Sequence, residues 1–167
     1  ETVCWVLDIC NAKVNDSCGF HVHMDAAGFN LDTWKNLALT YKHLEHLIDA
    51  FMPRTRRNNT YCKTLSGVSD ERIKSVRTID GLREVFNNDR YHKVNFEAYS
   101  RHRTVEFRQH SGTTNFTKME NWIRFLNGLI TFAKSSSLPS RMTLEGLPFL
   151  DGKQKLFFKL RTKKLAV

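Results

Sequence analysis

The chain is poor in the features that build membrane, secreted or disulfide-stapled proteins. Its four cysteines, Cys4, Cys10, Cys18 and Cys62, are too few and too scattered over 167 residues for a disulfide framework, and none forms a CxxC pair. They read as reduced thiols, with zinc the weaker alternative. No run approaches the roughly 18 consecutive apolar residues of a membrane-spanning helix, because Asn127 divides the best stretch and Asp8 interrupts the apolar N-terminus. A secretory leader would need a basic start, a longer apolar run and a small-residue cleavage site, and none is present. The expected location is the cytoplasm. The sequence also lacks internal repeats and low-complexity tracts. It opens on Glu1, within residues that already read as mid-helix, so the expectation is a fragment or a trimmed product.

What is present is enough for one globular domain with a real core: 41% of residues are hydrophobic. The formal charge is +9. Much of it lies in two runs, Arg54, Arg56 and Arg57, then Lys153, Lys155, Lys159, Arg161, Lys163 and Lys164. Such runs suit a phosphate-bearing ligand as well as a polynucleotide.

Hydropathy periods set the element order. Val3, Val6, Leu7 and Cys10 recur at helical spacing and give way to the turn-forming Asn15, Asp16 and Ser17. From Cys18 to Asp25, Phe20, Val22 and Met24 alternate with His21, His23 and Asp25, the pattern of a half-buried strand. A helix over Asp32 to Met52 follows, with Trp34, Leu37, Tyr41, Leu44 and Ile48 on one stripe and Pro53 at its end. Arg54 to Asp70 reads as a long polar, basic loop. A short helix is expected over Ile79 to Phe86, then strands over Tyr91 to Tyr99 and Thr104 to His110, joined as a hairpin by Ser100 to Arg103. Thr117 and Glu120 form a capping-box pattern ahead of an apolar helix to Ala133. The remainder, residues 141–167, reads as a basic amphipathic extension whose helix packs on the domain, with membrane or nucleic-acid contact the lesser alternative. The expected fold is α+β, an antiparallel sheet backed by the two long helices.

Two constellations carry chemistry. His21 and His23 leave the same face of one strand, roughly 7 Å apart along the backbone, a spacing that suits a shared metal or phosphate. It suits ordinary polar strand histidines as well. On the later strand Glu106, Arg108 and His110 share a face, opposite Val105, Phe107 and Gln109. A carboxylate beside an imidazole fits a hard cation such as Mg²⁺, and a guanidinium adds a fork for phosphate oxygens. The competing reading is a surface ion pair between Glu106 and Arg108.

The string from Ser17 to Asp25, SCGFHVHMD, closely resembles the amidoligase family, whose fold is related to glutamine synthetase. Other pieces follow in the family's order. Arg57, Asn59, Tyr61 and Cys62 resemble one loop, Arg90-Tyr91 with Asn95 a strand, and Thr104 to Arg108 with Gly112-Thr113 the closing motif, so the resemblance spans about Val3 to Ala133. It implies a partial amidoligase-like domain over residues 1–140. It also implies ATP- and Mg²⁺-dependent joining of a carboxylate, from a small molecule or a peptide, to an amine through an acyl phosphate. His21 and Glu106 match metal positions. Arg108 matches a phosphate-binding position, and His23 a group on the carboxylate side or just outside the metal ligands. Arg90 and Arg57 match groups for nucleotide phosphates, Asn59 and Asn95 polar positioning groups, and Arg90, Arg108 and His23 together the catalytic set.

The family also has an acidic Glu-x-Glu strand upstream of where this sequence begins, so another segment or chain is expected to complete the metal site. Two other classes stay open: a non-catalytic amidoligase-like binding or assembly protein, for example of a phage particle, and a basic nucleic-acid-binding domain. The host cytoplasm is the expected location if a phage encodes the chain, and assembly into an oligomer is compatible with the sequence.

Overall fold

A computed structural model describes residues 1–166. Along the chain run α1 (Thr2–Ile9), β1 (Val22–Asp25), α2 (Leu31–Ala50), a 3-10 turn (Arg54–Arg56), α3 (Asp70–Ser75), α4 (Ile79–Val85), β2 (Val94–Asn95), α5 (Ala98–His102), β3 (Thr104–Phe107), α6 (Phe116–Ala133) and α7 (Gly152–Leu165). The fold is α+β. Its sheet has the order β1-β3-β2 with both pairings antiparallel, so β3 is central. No described helix is long and apolar enough to cross a membrane.

The two long helices form where apolar stripes and caps coincide. Asn30 accepts from the Thr33 amide at 2.8 Å, and the helix it starts buries Trp34, Leu37, Tyr41, Leu44 and Ile48. That face packs on α6, whose Trp122, Phe125, Leu126 and Leu129 are also buried, and on the apolar side of the sheet, Val22, Val94, Val105 and Phe107. The C-terminal helix α7 is capped by Asp151 and inserts Phe158 against Phe51 at 4.4 Å between ring centroids. All four cysteines are free thiols.

Three local expectations are corrected. The segment between β2 and β3 is not a plain hairpin link: the strand stops after Asn95, whose side chain accepts from the Glu97 amide at 2.9 Å, and α5 follows. Tyr99 of α5 packs on Trp34 at 5.2 Å, and Arg103, at φ 57°, turns the chain into β3. The capping box at Thr117 and Glu120 is not used. Asn115 starts α6 instead, accepting from the Lys118 amide at 3.0 Å. Residues 70–75, starting on the last residue of the expected loop, form the extra helix α3, capped by Ser69.

Candidate active site

The sheet register lays out the site. His23 and Asn95 are both Cα partners of Glu106, one on each side of the central strand, so the three side chains form a row across one face. The neighbouring row, Val22, Phe107 and Val94, points into the core. Alternation along β1 and β3 thus separates the core face from the polar face, as the sequence pattern requires.

Glu106 is the hub. It is only 6% exposed, and Arg108 Nη1 donates to its Oε1 at 2.8 Å while His21 Nδ1 lies 3.0 Å from the same oxygen. The Asn95 amide donates to Oε2 at 2.6 Å, and His23 Nε2 stands 3.8 Å from Oε1. Burial alone would raise the carboxyl's pKa. The hydrogen bonds from His21 and Asn95 and the charge of Arg108 outweigh it and bring the value from 4.5 down to about 2. Glu106 is therefore a permanent anion at neutral pH.

Its partners are fixed in turn. His23 Nδ1 lies 2.8 Å from Thr104 Oγ1, and the ring meets His102 edge to face at 5.6 Å. Arg108 is buried; its Nε donates to the Tyr61 carbonyl at 3.4 Å, and its guanidinium lies 5.5 Å from the centre of the Tyr91 ring. The buried Arg56 donates from Nη2 to the Arg108 carbonyl and from Nε to the Gln109 carbonyl at 3.4 Å, holding this strand end to the basic loop. Gly19 gives His21 its space: a Cβ there would sit 2.6 Å from His21 Nε2 and 3.1 Å from Arg56 Nη2.

The polar face opens into a cavity of about 410 Å³ lined by His23, Arg90, Asn95, Arg101, His102 and Glu106, with Glu97 beside them. Glu97 is already neutralised by Arg83, at 2.8 and 2.6 Å. Arg90 and Arg101 form no ion pair among the described residues, so the cavity presents free positive charge to a ligand.

The structure thus brings together His21, His23, Asn95, Glu106 and Arg108, with Arg90 on the cavity wall. Arg57 and Asn59 are not brought there. Arg57 Nε donates to the Met52 carbonyl at 3.1 Å, and Asn59 shapes the basic loop by accepting from the Tyr61 amide at 2.7 Å. His110 departs from the face expected for it, because β3 ends at Phe107 and the following backbone turns. Its ring packs on Phe20 and Trp122, and burial drives its pKa down to about 4.

Sequence reasoning missed Gly19, Arg56, Arg101, His102 and Thr104. Gly19 and Thr104 lie inside quoted motifs, but nothing in a one-letter pattern marks them as supports. Among the described residues no group of three or more His, Cys, Asp and Glu side chains could hold a metal ion. His21 and Glu106 offer one imidazole and one ionised carboxylate, a share of a Mg²⁺ shell that water and substrate phosphates would have to complete and that would replace the hydrogen bond between the two.

An ionised carboxylate hub thus lies beneath a cation-lined cleft on the antiparallel sheet of an α+β domain, an arrangement able to attract anions. The family model described as "Putative amidoligase enzyme" matches residues 2–130. The chain belongs to that family. No curated protein and no solved structure matches it.

Proposed function

We propose that the cleft joins a carboxylate to an amine at the expense of ATP, through an acyl phosphate. The observation that carries this reading is the convergence of His21, Asn95 and Arg108 on one permanently ionised carboxylate, at the wall of a cavity with two free arginines. His21 and Glu106 are the residues that would hold Mg²⁺, which when bound supplies positive charge to the transferring phosphoryl group.

The chain's own residues then have separable tasks. Arg90 and Arg101 draw the anionic substrates into the cleft and offer planar forks to their oxygens. Arg108 is turned inward. It keeps Glu106 ionised and placed, so its contribution runs through the carboxylate. His23, with Nδ1 held at Thr104, has Nε2 on the cleft side, placed to take a proton from the attacking amine. Preset charges of this kind act on the transition state without having to reorganise.

The test is phosphate release from ATP and Mg²⁺ with a panel of carboxylic acids and amines, using the protein with whatever segment precedes Glu1 in its gene. Turnover that needs both an acid and an amine, and that falls at least about a hundredfold in E106Q, is expected. A protein that binds ATP but releases no phosphate with any pair would favour the binding or assembly reading. Release that needs neither an acid nor an amine would make it an ATP hydrolase instead.

A further inference from the structure

The junction of α6 and α7 holds positive charge that the cleft does not use. Lys118 near the start of α6, with Arg161 and Lys164 of α7, lines a groove of about 360 Å³. Among the described residues no carboxylate lines it. None of the three cations forms an ion pair among the described residues, whereas Lys42, Lys93 and Arg83 each sit 2.6 Å from a carboxylate oxygen.

Arg161 is anchored by one nitrogen only. Its Nε donates to the Phe51 carbonyl at 2.8 Å, and its terminal nitrogens have no acceptor among the described residues. Burial lowers the pKa of Arg161, and burial with the charges of Arg161 and Lys164 lowers that of Lys118, so the groove crowds like charges at a cost. An anion would relieve it. Phe157 and the half-exposed Leu160 add an apolar wall, and the first turn of α6 opens on the same side.

We propose that this groove is an anion site that takes a diphosphate group, free or as the tail of a nucleotide. Three cations match the charge of a diphosphate, roughly −3 near neutral pH, and combine one planar fork with two point charges. The site is distinct from the cleft, whose side chains come from β1, β2, β3, α5 and the segment before β2.

The experiment is calorimetric titration of inorganic pyrophosphate into the chain at low salt without Mg²⁺, repeated on K118Q/K164Q, R161K and R90Q. Thermal melts check that each variant is folded. Saturable binding is expected, weakened about tenfold or more in K118Q/K164Q, weakened less in R161K, and kept in R90Q. ADP is titrated on the R90Q background so that the cleft does not mask the groove. Equal affinities for ADP and pyrophosphate would mean that the diphosphate suffices, and tighter ADP binding that the nucleoside packs on Phe157. Pyrophosphate binding that is unchanged in K118Q/K164Q, or abolished by R90Q, would overturn the proposal. So would a single-stranded oligonucleotide that binds through Lys153, Lys159 and Lys163 while pyrophosphate does not bind at all.

Discussion

Replacing Glu106 by Gln should remove a defined part of the pH dependence of stability. The Glu106 pKa falls from 4.5 to about 2 on folding, because the contacts with His21, Asn95 and Arg108 outweigh the penalty of burial. A depressed carboxyl stabilises the fold fully above its unfolded pKa and loses that contribution as pH falls through the folded one. The drop corresponds to about 3 kcal/mol near pH 6 and to about half that at pH 3. The neutral amide also leaves the buried Arg108 without its counter-charge, and breaking such a pair costs about 3–5 kcal/mol. The assay is urea unfolding of wild type and E106Q at several pH values between 6 and 3, because Asp70 and Asp89, whose pKa values are also lowered, cancel in the difference. Wild type should lead by several kcal/mol at pH 6, and the lead should shrink by about 1–2 kcal/mol at pH 3. A lead that is constant with pH would show that Glu106 is not held ionised by these partners.

Gly19→Ala puts a Cβ 2.6 Å from His21 Nε2, so it should lower ligase turnover about tenfold or more while shifting the melting temperature by only a few degrees; unchanged turnover would free His21 from any placement role. R90Q and R101Q should each raise KM for an anionic substrate about tenfold with kcat less affected, and a loss confined to kcat would move them from binding to chemistry. Lys93→Met should cost about 3–5 kcal/mol by urea unfolding, since it leaves the buried Glu45 beside the half-buried Asp49 with no cation between them, and adding E45Q and D49N should recover much of it. A mild K93M, or no recovery, would mean that the trio is not the tie it looks like.

The long helices were legible because each carries four or more turns of apolar residues at one spacing, long enough for periodicity to be read. The site face was legible for the same reason at period two: His21, one residue ahead of β1, His23 and Glu106 fall on polar positions of an alternation whose other face is Val22, Val105 and Phe107. α5 was not legible, since five residues hold little more than one helical turn, and what ends β2 is a single side chain, Asn95, bonding two residues ahead. Nor could a pattern tell which of two adjacent arginines turns inward. The 3-10 turn at Arg54–Arg56 buries Arg56 and leaves Arg57 bonded to Met52, so the family-like loop reaches the site through the Arg56 guanidinium and the Tyr61 carbonyl rather than through Arg57 and Asn59. His110 was misread because alternation holds only while the strand does, and β3 ends three residues earlier.

What fixes the floor of the cleft lies beneath it, in a residue no motif pointed to. Lys93 is 1% exposed, and its ammonium sits 2.6 Å from Glu45 and 2.7 Å from Asp49, which are four apart on one face of α2. Its own backbone donates to the Lys63 carbonyl and accepts from the Arg108 amide, each at 2.9 Å. One residue therefore ties α2, the basic loop and the Arg108 end of the central strand. Gln109, next along, donates to Asp49 and accepts from the Tyr41 hydroxyl at 2.7 Å, which closes the network. Buried charges are poor contributors to net stability, but they penalise any other arrangement of the same chain, because a slipped strand would strand an ammonium or a carboxylate in the core. Arg108 and Glu106 are two residues apart on the strand so clamped. The geometry of the hub is thus set by a polar tie on the opposite face of the same backbone, and a ligand entering the cleft meets charges that cannot move far to greet it.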